Sequence, residues 1–167
     1  MQAFQIKDIK GFMAALLTTD TFDSFLLEEA IIKTYNTFVI DGHFIKEFFQ
    51  SDEEDVSFLD EYQFSKWQDM RALCFQFIKG KKTPVSFKFI LHLQPSFAQN
   101  ILDNNDTAIT SDQLKAFILN VKYDSGHLSL ITATSYYSFL LDKSADIIWD
   151  SAIKQFLIRH EIVFEEE

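Results

Sequence analysis

Residues 65–93, SKWQDMRALCFQFIKGKKTPVSFKFILHL, change period in mid-course. Up to Gly80 the apolar side chains recur at helical spacing, so Trp67, Met70, Leu73, Cys74, Phe77 and Ile78 share one face. Ser65 stands where an N-cap hydroxyl is wanted, and Gly80 where a helix stops. Past Pro84 the period drops to two. Val85, Phe87, Phe89, Leu91 and Leu93 face one way, and Ser86, Lys88, Ile90 and His92 the other. A strand with one apolar and one wet face belongs in an antiparallel sheet, so a helix laid on such a sheet, an α+β domain, is the expected fold.

The same reading extends to both sides. MQAFQI alternates as a short strand. Ile9, Phe12, Met13, Leu16 and Leu17 follow at helical spacing, with Asp8 as N-cap. Strands are expected near 25–34 and 36–40, with a helix over LLEEAII the alternative for the first. A tight turn at Asp41-Gly42 leads to a third strand at 43–49. The acidic run 51–61 reads as a loop and PSFAQNILDNN as a short helix. KAFILNVKY, a DSG turn, HLSLITAT and YYSFLLD read as two or three further strands. The chain is expected to be one domain over 1–167, with halves at 1–50 and 62–142 that each run helix then antiparallel strands. A C-terminal helix over 144–162 and a frayed EEE tail complete it.

A chain of 167 residues that is 47% hydrophobic, with 19 phenylalanines, buries a sizeable core without metal or disulfide. Cys74 is its one cysteine, so no intrachain disulfide forms, and a reducing, cytoplasmic setting fits. No run of about 18 apolar residues is present to span a bilayer, and charges at Lys7, Asp8 and Lys10 interrupt any signal-like segment. No membrane partner is expected.

Little in the sequence points to catalysis. His43, His92, His127 and His160 lack the spacing that sets two imidazoles on one helical face. Cys74 lies on the apolar helix face, where a thiol is core rather than nucleophile. SDEED lacks the alternation and distal Glu of a calcium loop. Glycine-rich phosphate loops and nucleophile elbows are missing too, and Gly80-Lys81-Lys82-Thr83 lacks the upstream glycine of a P-loop. Phe87 and Phe89 share the spacing of base-stacking residues on RNA-binding sheets, yet lie on the core face. No cofactor is implied, and a non-enzymatic role is favoured over an enzymatic one.

Charge is the informative signal. The chain is formally −10, yet residues 66–88 carry Lys66, Arg71, Lys79, Lys81, Lys82 and Lys88 against Asp69 alone. That segment is +5 and the remainder −15. One reading makes Lys66, Arg71, Lys79, Lys81 and Lys82 a nucleic-acid-binding surface. The plainer reading is that they balance the acidic run and the carbonyl end of the helix.

Two resemblances bear on the choice. DTFDSFLLEEA and NTFVIDGHFIKEFF, with WQDMRALCFQFIKGKKTPVSFK, resemble a bacterial family of short, uncharacterised Firmicutes proteins, which implies no site residues. AFQIKDIKGFMAALL, SKWQDMRALCFQFIKG before TPVSFKFILHL, and NVKYDSGHLSLITATS resemble one domain of the sliding clamps that tether DNA polymerases. That likeness implies two β-α-β-β-β units with helices facing DNA. It also implies oligomerisation, since a clamp needs several such domains. Ser135 stands where the clamp pattern has Asp, and the acidic run and C-terminal helix fall outside it. The expectation is a clamp-like DNA-associated or protein-interaction module, with duplex DNA as partner if the chain oligomerises. Alternatives are a structural or regulatory protein that self-associates or binds a protein through an apolar surface, and a small enzyme. A positive face, a large exposed Phe and Leu patch, or a deep polar pocket would separate the three.

Overall fold

The structure, a computed structural model, describes residues 1–49 and 56–167. Strand β1 (Ala3–Ile6) leads into helix α1 (Ile9–Thr18), whose cap is Asp8; its carboxylate accepts the Gly11 N–H at 2.9 Å. Strands β2 (Phe25–Lys33) and β3 (Thr37–Asp41) form a hairpin. A single 3₁₀ turn (Lys46–Phe49) and the short helix α2 (Phe58–Glu61) come before β4 (Ser65–Lys66) and helix α3 (Trp67–Ile78). Then follow β5 (Ser86–Leu93), α4 (Pro95–Asp103), β6 (Leu114–Asp124), β7 (His127–Tyr136), α5 (Ser144–Arg159) and β8 (Phe164–Glu166).

Among the described residues the strands form one eight-stranded antiparallel sheet in the order β3-β2-β5-β6-β7-β1-β8, with β4 also beside β2. Register puts Phe87, Phe89 and Leu91 of β5 on the same face as Leu119, Val121 and Tyr123 of β6, and these residues are buried. Helices cover that face. Trp67 of α3 packs on Phe89 and donates its indole N–H to the Leu16 carbonyl of α1 at 2.9 Å. Trp149 of α5 stacks on Phe117, ring centres 4.9 Å apart, and donates to the Ile118 carbonyl at 2.8 Å. Both indoles thus bury their apolar area and still satisfy their one donor. The opposite sheet face carries Lys88, Ile90, His92 and Asn120, and Phe64 packs on it at His92.

Helices α1, α3, α4 and α5, the β6–β7 hairpin and the antiparallel sheet follow the sequence expectations. The strand expected at 43–49 does not form. His43 makes one isolated bridge to Phe64, Phe44 and Phe49 pack edge-to-face on Phe58 and on each other, and Phe48 packs on Phe49. Their near-helical spacing builds a turn instead of a two-sided strand. Ser65 is no cap, because it pairs with Leu27 in β4 and the helix starts two residues on. The segment 137–142 is no strand, and Tyr137, Phe139 and Leu141 stand out from the surface. Nor is the tail frayed. β8 pairs with β1, and Glu165 and Glu166 reach Lys7 and Lys154. Leu73 and Val85 are exposed despite their places in the periodic patterns. The acidic stretch at 51–55, expected to be a loop, lies outside the described residues; 58–61 of the same run is helical.

Candidate functional site

Helix α3 ends where Lys79 donates its N–H to the Phe75 carbonyl at 2.8 Å. Gly80 then adopts φ +153°, with open space where a Cβ would stand, and Lys81, Lys82 and Thr83 are exposed to solvent. The chain rejoins the sheet where Val85 N–H donates to the Lys33 carbonyl at 2.9 Å. The turn separates two hollows. One, of about 590 Å³, is floored by Ile9, Met13, Phe87 and Tyr123 and receives Lys10 from α1. Its floor is rigid, since the Phe87 and Tyr123 rings stack at 4.9 Å. The other, of about 450 Å³, is lined by Thr34, Tyr35, Phe77 and Val85. Thr34 Oγ1 is enclosed there and has no hydrogen-bond partner among the described residues.

No aspartate or glutamate among the described residues lines either hollow. Among the described residues Lys10, Lys79, Lys81 and Lys82 have no carboxylate within 4.0 Å and donate no side-chain hydrogen bond to the end of α3. The other sequence candidates are elsewhere. Arg71 is committed to Asp23, its Nε and Nη2 reaching the two carboxylate oxygens at 3.0 and 3.3 Å. Lys66, at the opposite end of α3 and so about 20 Å along the helix axis from Lys79, lies 5.1 Å from the Tyr62 ring centre. Lys88 is on the sheet face opposite the helices, 3.9 Å from Glu29. The structure therefore gathers Lys79, Lys81 and Lys82, separates them from Lys66 and Arg71, and adds Lys10. Spacing in the sequence holds no sign of Lys10; only the packing of α1 beside α3 brings it in.

Two histidine–carboxylate pairs meet on the opposite sheet face, around Phe64. His92 Nε2 bonds Glu28, and His43 Nδ1 bonds Asp41 at 2.5 Å. Both imidazoles pack on Phe64, with ring centres 4.7 and 4.6 Å away. Burial lowers the His92 pKa and outweighs the upward pull of Glu28. Hydrogen bonds from His43 lower that of Asp41. Among the described residues no group of three or more His, Cys, Asp or Glu is placed to hold a metal. Cys74 is fully buried, its thiol pushed up to about 12 by desolvation, so it stays protonated and unreactive.

The chain belongs to the DUF5721 family, a family of unknown function, whose profile matches residues 15–165. Comparison with curated proteins and with solved structures finds no significant match to either. No helix among the described residues is long and apolar enough to cross a membrane.

Proposed function

We propose that this protein is a non-enzymatic binding module that engages polyanions, duplex DNA foremost, through the turn between α3 and β5. The observation that carries the reading is the convergence of Lys10, Lys79, Lys81 and Lys82, free of carboxylate partners among the described residues, in a chain of formal charge −10. A cluster of this kind neutralises backbone phosphates without reading bases. The pairing of α1 and α3 on one sheet face is compatible with a clamp-like domain, in which such a pair would face DNA. Along that pair the exposed residues Ala14, Thr18, Gln68, Ala72, Leu73 and Gln76 are uncharged and Asp69 is acidic, so the phosphate contacts belong to the lysine end. A second reading, a protein-interaction or self-association role, is favoured by Tyr137, Phe139 and Leu141, which are 67%, 85% and 84% exposed.

Titration of labelled duplex DNA at low salt tests the first reading, with the Lys79→Glu/Lys81→Glu/Lys82→Glu variant beside the wild type. Binding should be weak and independent of sequence, and should fall with log salt at a slope of about −3, near −0.9 for each neutralised phosphate. The variant should lose it while melting at the wild-type temperature. A variant that binds as well as the wild type, or a wild type that does not bind, would end the DNA reading. Light scattering on the same samples reports whether the chain self-associates.

A further inference from the structure

A second hollow of about 590 Å³ lies between α4 and α5, remote from the lysine turn and lined by none of the same residues. Phe25, Leu93, Trp149 and Ile153, all buried, form its floor. Phe97 stands at its edge with 45% of its surface exposed. The walls are fixed. Gln94, at the start of α4, donates its backbone N–H to the Ser24 carbonyl and its side-chain amide to the Asp23 carbonyl, both at 3.0 Å. Trp149 anchors α5 through its bond to Ile118. This size, an apolar floor and a few polar groups at the edge are the properties of small-molecule sites, which run to about 300–1,000 Å³.

The rim specifies the ligand's polar end. The chain has 25 acidic residues, yet among the described residues no aspartate or glutamate lines this hollow. Its one permanent charge is Arg159, which has no carboxylate within 4.0 Å among the described residues. The side-chain amides of Asn104 and Asn105 each donate one N–H to the Asn100 and Ile101 carbonyls, at 2.8 and 2.7 Å, which leaves each its oxygen and a second N–H. One guanidinium over an apolar trough matches a single anionic head on an apolar body; His160, whose ring packs on Phe156, is the one other ionisable side chain lining the hollow among the described residues. Guanidinium and carboxylate pair through two parallel hydrogen bonds, which makes a carboxylate the natural head.

We infer that the groove between α4 and α5 binds an amphipathic monocarboxylate, with its apolar body on Phe25, Trp149 and Ile153 and its carboxylate on Arg159. The inference rests on no part of the DNA reading. Arg159 also sits at the C-terminal end of α5, where a cation offsets the helix dipole without any ligand. The experiment separates these roles.

Decanoate and decanol, below the micelle concentration of decanoate, are titrated into the intact chain while the two indole N–H signals are followed by NMR. The Trp149 signal should move saturably with decanoate and the Trp67 signal should stay, since Trp67, buried at the start of α3 against α1 and Phe89, does not line this hollow. Arg159→Ala should weaken decanoate by about tenfold or more, the loss of a charge-assisted pair, and leave decanol unchanged. Gln155→Glu, an exposed rim substitution that only adds negative charge, should act in the same direction. Unchanged Trp67 signals report that both variants are folded. An unmoved Trp149 signal, decanol binding as tightly as decanoate, or an Arg159→Ala variant that keeps full decanoate affinity would each overturn the proposal.

Discussion

Gly42 shows how much one hydrogen atom decides. A Cβ built there would lie 1.7 Å from the Leu27 carbonyl oxygen and 2.7 Å from its carbon, both backbone atoms. That backbone cannot retreat, because Leu27 pairs with Leu91 on one side and Ser65 on the other. Gly42 is held against it by its own N–H to the Glu28 carbonyl at 2.8 Å and by Ser65 N–H to its carbonyl at 2.9 Å. Gly42→Ala should therefore destabilise the protein by about 2–3 kcal/mol or more, the upper range for overpacking. Gly126→Ala, at φ +86° in open space, should cost only the backbone strain of about 1–2 kcal/mol. Urea unfolding of the two variants ranks them; an equal or reversed order would show that the close approach at Gly42 is not what selects glycine. The sequence marks Asp41-Gly42 as special but cannot say why, since glycine serves left-handed turns and close backbone contacts alike. Cys74 was more legible, because its place on the apolar helix face already implied an inert, buried thiol.

At the scale of elements, what could be read was whatever repeats. Helices α1, α3 and α5 and strands β5, β6 and β7 carry their own period, and each forms where that period runs. Elements defined by their partners were illegible. Ser65–Lys66 is a strand only because β2 offers it an edge, and Phe164–Glu166 is ordered only because β1 does. Helix α5 belongs to the fold by burial and by polar pairing. It encloses Ala145, Trp149, Ile153 and Leu157, while Asp146 and Asp150 accept from Thr134 and Thr132 of β7. A chain stopped after Lys143 would bare the Phe25 and Phe117 rings that Trp149 covers and leave both threonines without their carboxylates. It should lose its cooperative melt and bind a hydrophobic dye, whereas Trp149→Ala in the full chain should cost about 3–5 kcal/mol. Circular dichroism melts check both, and a stopped chain that melts cooperatively would mark α5 as an appendage.

Across the whole molecule, strand order was beyond the sequence. Periodicity says that a residue faces the core, but it does not say that β5 lies beside β2 or that β1 closes between β7 and β8. The candidate site shares this limit. Lys79, Lys81 and Lys82 stand together in the chain and could be picked out by charge. Lys10 joins them only because α1 and α3 lie side by side, and Arg71 leaves them only because Asp23 is brought to it from 48 positions away. The groove between α4 and α5 could not be foreseen at all, since its walls come from segments separated by a hairpin that the sheet folds back.

The β6–β7 hairpin sets a sequence of events in time. Its turn, Asp124-Ser125-Gly126-His127, places Ser125 at φ 51° and Gly126 at φ 86°, the left-handed pair that matches the twist of the strands. Ten paired positions then follow from a loop closure of two residues. The first strand must instead find β7 across some 120 intervening residues, from Ala3 to Ile131 and Ile6 to Leu128. Local pairing should therefore precede the docking of β1, with refolding in the millisecond-to-second range of non-local β topologies. Ser125→Asn, which relaxes the left-handed turn, should speed folding and leave unfolding nearly unchanged. Phe4→Ala, which empties the late strand, should speed unfolding and leave folding nearly unchanged. Stopped-flow chevrons distinguish the two. If Phe4→Ala slows refolding in proportion to its loss of stability, β1 is in the nucleus and the order is reversed.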